Sequence, residues 1–566
     1  MDFKQLLRRK EIFQINREEE SGKSGMRRSL GVFDLTCLGI AAIVGGGIFS
    51  TIGNSAAYGG PAISLLFIFT AIACGFSAMC YARFASVVPV SGSAYTYAYV
   101  SFGELIAWII GWTLIMEYSV GNIAIAISWS DYFTGLLSGL GIDFPLWLST
   151  GYHSVMKGHE QALTMMSQGQ DFTSLPGYVQ EAYRTWTTAP QISGIHIIAD
   201  VPAFVIVILI TALVYIGIYE TKVAGNIMVL LKVVILLVII GIGSFYVNPD
   251  NWSPFAPHGI GGVMKGVAGV FFAYIGFDAI STTAEECRNP RRDLPKSMIY
   301  SLIITTVLYV VISLVLTGIV RYNELAVGDP LAYAFEKLGL TAFSGIIAFS
   351  AVVAMASVLL VFQLGQPRIW MSMSRDGLLP RKFGKVHPKY KTPAFATIIT
   401  GVIVGIPAIF TDLTEMADLT SIGTLFAFVI VSGGVIYIDS KKVDKGIPGG
   451  FRIPYVNSGW VLPVLWLVIP LLIWHFNTAG FYDFINFTCD WENNGLFAIF
   501  IPIALVISFF AIRHKWSLIP VLGLLTNLYL LSELGYLNWM RFIIWLIIGL
   551  AIYFAFGRKH SLLKNK

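Results

Sequence analysis

Three consecutive glycines, Gly45, Gly46 and Gly47, interrupt the first long apolar run of the chain, residues 32–57, within Ile40-Ala-Ala-Ile-Val-Gly-Gly-Gly-Ile-Phe-Ser50. A run of this length and apolarity can cross a bilayer. Each glycine costs about 1 kcal/mol against alanine in a helix interior. In lipid, backbone groups freed from a helix are tolerated only where they line a cavity or are buried in protein. The spacing predicts a broken helix. Its second half would present free N–H groups and the positive end of a helix dipole to an anion at mid-membrane depth. Close helix packing is the other use of such glycines, and the run alone leaves both readings open.

Two ionisable residues also fall inside apolar runs. Lys232 lies within residues 224–247, about 12 Å from the start of the run at 1.5 Å per residue. An ammonium there is costly, and an intramembrane charge marks function by default; a lysine snorkelling to the interface is the alternative. Glu117 lies within 105–133, as a structural hydrogen-bond partner or a second titrating group. His153, His196 and His258 show no metal-ligand spacing and read as surface residues.

The elements that must position these groups are apolar. Of 566 residues, 56% are hydrophobic and 13% charged, which places the chain among polytopic membrane proteins. Fourteen spans are expected, at roughly 32–57, 61–82, 105–133, 201–219, 224–247, 263–284, 298–320, 342–373, 393–410, 419–438, 460–476, 496–512, 517–535 and 539–556. With the N-terminus in the cytoplasm, 31 of the 38 Lys and Arg residues fall on the inner side and six on the outer, Lys232 being left in a span. The bias satisfies the positive-inside rule. It accounts for the net charge of +5 without nucleic acid, because the inner leaflet is anionic.

The N-terminal 28 residues hold no secretory apolar core, so the first span is expected to remain as an uncleaved anchor. Cys37, Cys74, Cys80, Cys287 and Cys489 form no CxxC pair, and no disulfide framework, metal site or cofactor is indicated. Residues 134–200 read as an irregular external insertion of little periodicity.

Several stretches are more distinctive than the spans. Pro89-Val-Ser-Gly-Ser-Ala-Tyr95 follows span two. Glu285-Glu-Cys-Arg-Asn-Pro-Arg-Arg-Asp-Leu-Pro295 follows span six. Gly365-Gln-Pro-Arg-Ile-Trp-Met-Ser-Met-Ser-Arg-Asp-Gly-Leu-Leu-Pro380 closes span eight. With Gly-Gly-Gly-Ile-Phe, and in this order, they resemble the cationic amino acid transporter family of the amino acid–polyamine–organocation superfamily. The resemblance runs from about residue 28 to 561, with 134–200 as its main interruption. It implies two inverted repeats of five helices, spans one to five and six to ten, with helices one and six broken. The expected organisation is a cytoplasmic segment 1–31, a transport core 32–438, and four further spans with a short cytoplasmic tail in 439–566. Many bacterial members have only two extra spans, so quaternary state stays open.

Span six fits this expectation, since Gly276 before Phe277-Asp278 marks an interruption with Asp278 capping the second half. The resemblance places an amino acid's carboxylate on the N–H groups of Gly45, Gly46 and Gly47. Its ammonium falls on carbonyls at Phe272, Ala273 and Ile275, with Phe272 as a lid and Ile43 also lining the site. No acidic side chain is needed, because the C-terminal end of a half-helix already offers carbonyl dipoles. Proton-coupled relatives carry a lysine matching Lys232, in the place of a sodium ion in sodium-driven cousins, which implies proton symport. Glu117 falls in the family's Leu/Met-Glu-Tyr pattern, and with Asp278 it belongs to a polar network. Phe362 matches the side-chain pocket, where members that carry arginine have a small residue; phenylalanine there favours neutral, apolar or small amino acids.

The function expected is secondary active amino acid transport across the bacterial inner membrane, with both termini cytoplasmic. An exchanger, or a cationic amino acid carrier without proton coupling, is the alternative. A membrane-embedded enzyme would need converging catalytic groups, and a channel a filter motif; the spans show neither.

Overall fold

The computed structural model describes residues 7–12, 26–327, 329–442, 450–476 and 491–565. Cys489 and most of the N-terminal segment lie outside the described residues. Apart from a two-residue hairpin, every element among the described residues is helical. Nine of these helices are long and apolar enough to cross a membrane, and five shorter apolar helices accompany them. The protein is an all-α, multi-pass membrane protein.

The first span is interrupted at its glycines. Helix α1 (Val32–Ile43) ends at Val44, whose N–H donates to Ile40 O at 3.0 Å while its backbone turns extended, with ψ 97°. The chain re-enters helical geometry through a wide turn at Gly47–Thr51 and continues as α2 (Ile52–Gly59). Gly45 O opens this second half by accepting from Ile48 N–H (3.1 Å) and Phe49 N–H (3.2 Å). Gly45, Gly46 and Gly47 thus supply first-turn N–H groups, which a helix leaves without internal partners.

Helices α3 (Ile63–Val87), α4 (Ala94–Ser101) and α5 (Glu104–Gly139) follow. Residues 134–200 correct the expectation of an irregular insertion. They begin with the last turn of α5 and carry α6 (Tyr152–Ser167), α7 (Gly177–Thr188) and the hairpin β1 (Gln191–Ile192) with β2 (Ile195–His196). The helical period is present but sparse. Helix α6 buries only Val155, Gly158 and Ala162, small residues outnumbered by polar ones. This cap docks on the turn before the tenth span: His153 N–H donates to Phe410 O (3.0 Å), and Ser154 Oγ donates to Asp412 Oδ2 (3.1 Å).

Helices α8 (Val201–Ile216) and α9 (Ile218–Ser244) meet at Gly217, whose φ of 147° suits glycine alone. The sixth span is broken like the first. It runs as α10 (Gly259–Lys265) and α11 (Val267–Phe272), turns, and resumes as a 3₁₀ segment, Phe277–Glu286. Gly276, with φ 122°, makes the turn; a Cβ there would press within 3.0 Å of the Ala42 carbonyl group. The two breaks therefore pack against each other.

The remaining apolar helices are α12 (Pro290–Ile319), α14 (Thr341–Arg375), α15 (Ala394–Ala408), α16 (Leu413–Lys441), α17 (Ser458–Phe476), α18 (Trp491–His514), α19 (Leu518–Ser532) and α20 (Tyr536–Ile552), with the short α13 (Pro330–Lys337) outside them. Of the apolar helices among the described residues, nine are long enough to cross a membrane, and Val32–Ile43, Val201–Ile216, Ala394–Ala408, Ser458–Leu472 and Leu518–Ser532 are shorter. Helices α9, α15, α17, α18 and α20 keep apolar faces exposed, as lipid contact requires. Helix α20 is clamped onto α5 by Trp112 and Trp545. Their rings stack at 4.6 Å, and each indole N–H donates to the other's carbonyl, at 2.9 and 3.0 Å.

Candidate functional site

A small cavity lies between the two helix breaks. It is lined by Ala42, Ile43, Gly45, Gly46 and Gly47 from the first break, Phe272 and Ile275 from the sixth span, Ile125 from α5, and Val358 and Phe362 from α14. Its room is on the scale of about one water molecule, so a larger guest enters only when the walls part. No side chain in this lining is ionisable. Polar chemistry at the cavity wall is left to the backbone: first-turn N–H groups of the glycines on one side and carbonyls at the end of α11 on the other. Phe272 is half-buried at the wall. Ala273 packs so tightly against Gly47 that a Cβ on the glycine would fall 3.0 Å from Ala273 N and closer still to its Cα.

The carbonyls at the sixth-span break are already partly engaged. Phe272 O accepts from Ile275 N–H (3.3 Å). Tyr309 on α12 places its hydroxyl 2.8 Å from Ile43 O and 3.0 Å from Ala273 O, sharing one proton between the two breaks. Each carbonyl retains a second lone pair. Tyr309 carries no signal in the sequence, being one aromatic among many in an apolar span.

Lys232 is fully buried. Its Nζ donates to Val44 O (2.7 Å), Ala41 O (3.2 Å) and Ser357 Oγ (2.8 Å). Two of these acceptors are carbonyls at the end of α1, where four carbonyls lack helical partners and the dipole favours a cation. The lysine therefore caps the broken helix from α9, directly beside the glycine turn, and does not reach for the interface. Ser357, its third acceptor, sits one residue before the cavity-lining Val358.

A second polar layer lies along the same helices. Glu117 Oε1 accepts from Thr424 Oγ1 on α16 (2.7 Å), while its Oε2 is buried without a hydrogen-bond partner among the described residues. Tyr118 hydroxyl donates to Asp278 Oδ2 at 3.4 Å. The expected side-chain N-cap at Asp278 is corrected: Gly276 occupies the cap position, and Asp278 is an acidic residue of the first turn. Glycine alone accommodates the positive φ of this turn, which displaces the acid from the cap. The Tyr118 ring packs on Phe362 at 5.4 Å, and Gly121 leaves the space that this phenylalanine fills, since a Cβ there would lie 2.8 Å from the ring.

The amino acid permease family profile matches residues 30–481, and the profile of the C-terminus of that family matches residues 518–561. The chain belongs to the amino acid permease family. It is 39% identical to the branched-chain amino acid permease BcaP of Bacillus subtilis (strain 168), over 96% of each chain. It is 36% identical to the methylthioribose transporter of the same organism, over 99% of each. It is 30% identical to human cationic amino acid transporter 4, over 96% of this chain and 89% of the relative. These names are those of transporters rather than enzymes, and the chain is a membrane permease for amino acids.

As a permease it presents the candidate binding and coupling residues at one of two places. Ile43, Gly45, Gly46, Gly47, Phe272, Ile275 and Phe362 line the cavity itself, with Ala273 behind Gly47. Lys232, Glu117 and Asp278 stand in the surrounding polar layers. Ile125, Val358, Ser357 and Tyr309 were not distinguishable by sequence, because aliphatic, serine and tyrosine residues recur throughout the spans.

Proposed function

We propose that this permease is a proton-coupled symporter of neutral, apolar amino acids in the cell membrane, with its termini in the cytoplasm. The core is two inverted five-helix repeats, residues 32–438, with fourteen spans in all. The four helices of 439–566 pack outside this core, and 134–200 forms an external cap. Residues 1–31 are its cytoplasmic N-terminal segment. One observation carries the reading: an apolar cavity lies at the paired helix breaks, with a buried lysine on the carbonyls that the first break frees.

The substrate's carboxylate meets the N–H groups at Gly45–Gly47, and its ammonium meets the free lone pairs at Phe272, Ala273 and Ile275. Its side chain points among Ile43, Ile125, Val358 and Phe362, none of which offers a polar partner. A guanidinium placed there would lose its hydration without compensation. The proton resides on Lys232. When charged, the lysine holds the end of α1; when neutral, it releases part of that hold, and the two states bias the bundle differently. Glu117 and Asp278 form a polar network beside this path.

Two results test the substrate half of the reading. Amines that lack the α-carboxylate are expected to be carried at least about 100-fold less well than the parent amino acids, because a site built to hydrogen-bond a group strongly rejects the analogue without it. Equal transport of amines would overturn the glycine assignment. Methylthioribose belongs in the same panel, since one relative is named for it and the molecule has no carboxylate. Replacing Phe362 with serine is expected to raise arginine uptake relative to leucine by about tenfold, as room opens at the side-chain end. Comparable arginine and leucine uptake by the unmodified protein would contradict the apolar preference.

A further inference from the structure

We propose that two ion pairs joining the end of the sixth span to α14, Glu286–Arg368 and Glu285–Arg375, are the gate that closes the cavity on the face carrying the basic loops. The proposal rests on the reading of the chain as a transporter that opens to each side in turn.

The geometry is specific. Arg368 Nη2 and Nε donate to Glu286 Oε1 and Oε2 at 2.6 and 2.8 Å, a two-pronged pair with both side chains at most 1% exposed. Arg375 Nη1 donates to both carboxylate oxygens of Glu285, at 2.9 and 3.1 Å. The arginines are two helical turns apart on α14 and share one face. Arg368 lies six residues beyond the cavity-lining Phe362, about 9 Å along the axis. The pairs thus stand between the cavity and the basic loops.

The first span is tied to the same point. Ser29 N–H and Leu30 N–H donate to Glu286 O (2.9 and 3.0 Å), and Arg288 N–H donates to Leu30 O (2.9 Å). The chain entering α1 therefore rides on the end of the sixth span, and both broken helices reach α14 through these glutamates. The Pro-Val-Ser-Gly-Ser stretch is wedged between the two sides. Glu285 N–H donates to Ser91 Oγ (3.1 Å), while Ser372 Oγ on α14 donates to Ser91 O (3.0 Å). Three distinctive sequence stretches that the binding site does not use meet here.

The dry Glu286–Arg368 pair suits a gate better than a fixed strut, and Arg375, its side chain 32% exposed, already meets water on the side of the basic loops. Burial makes each charge costly, and attraction between partners only roughly offsets the loss of water. If the sides part, water enters and solvates both charges while their attraction is lost. Closed and open states are then close in free energy, as a two-state element requires.

The test uses the full chain with its five cysteines replaced by serine and one reporter, Val358→Cys, in the cavity wall. Reaction with a membrane-impermeant maleimide is measured in inside-out and right-side-out vesicles. Glu285→Gln and Arg375→Gln are expected to speed labelling from the basic-loop face by about fivefold and slow it from the other. The charge-swapped pair Glu285→Arg with Arg375→Glu is expected to return both rates toward the starting protein. Arg368→Lys, which keeps the charge but loses the two-pronged fit, is expected to shift labelling in the same direction. Unchanged labelling on both faces, by gate substitutions that still permit leucine uptake when Val358 is kept, would overturn the gate while leaving the transport reading intact. Absence of uptake in the unmodified protein would instead overturn the transport reading on which the gate rests.

Discussion

Replacing Lys232 with alanine is expected to abolish uphill accumulation of amino acid under an inward proton gradient, while exchange of labelled for unlabelled substrate persists. A gradient of one pH unit supplies about 1.4 kcal/mol per proton, which supports about tenfold accumulation at one proton per substrate. Without the ammonium no proton travels with the substrate, and uptake stops at equilibration. Substrate recognition survives, because Lys232 lies outside the cavity lining and acts on Val44 O and Ala41 O behind the turn. Lys232→Met is the cleaner companion, since its length fills the buried space that alanine leaves empty. The measurement is paired uptake and counterflow in reconstituted vesicles. Full accumulation by either variant would make Lys232 structural and remove the coupling assignment.

Gly47→Ala is expected to reduce uptake of any substrate by about 100-fold, more than alanine at either neighbouring glycine, because the methyl group meets backbone rather than a movable side chain. At Gly47 the nearest atoms are Ala273 Cα, Cβ and N; at Gly45 they belong to the Val358 side chain, and at Gly46 the nearest is the end of Ile125, 3.1 Å away. A side-chain terminus can yield through a rotamer change, whereas the Ala273 backbone can move only by parting the two broken helices. The expected order of damage is Gly47, then Gly45, then Gly46. Uptake rates normalised to protein in the membrane measure it. Damage greatest at Gly46, or equal at all three, would mean that contact between the breaks does not set the site.

The spans were legible because lipid imposes a single requirement, a long apolar helix, and residues 32–57 and 263–284 could be marked as broken because glycine works against that requirement. The lining residues from the breaks were legible for the same reason. Ile125 and Val358 were not, since an aliphatic residue facing a cavity and one facing lipid look alike in a sequence. Ser357 and Tyr309 act through partners more than 30 residues away, and only the folded chain shows that the one meets the Lys232 ammonium and the other the carbonyls of Ile43 and Ala273. Asp278 was misplaced by local reasoning: an acid after a glycine resembles a cap, but the positive φ at Gly276 moves the start of the 3₁₀ segment upstream. The helices of 134–200 escaped notice because α6 buries only three small residues, too few to raise a periodic signal.

The cavity between the two breaks is proposed to carry amino acids by a proton-driven cycle. Its most direct test is uptake of labelled leucine by the unmodified protein in liposomes, under an inward proton gradient without sodium, repeated with a protonophore and with a sodium gradient alone. The expected result is accumulation of about tenfold per pH unit, collapse with the protonophore, and no drive from sodium. Accumulation that follows sodium and ignores the proton gradient would contradict the coupling, and no uptake of any amino acid would contradict the site itself.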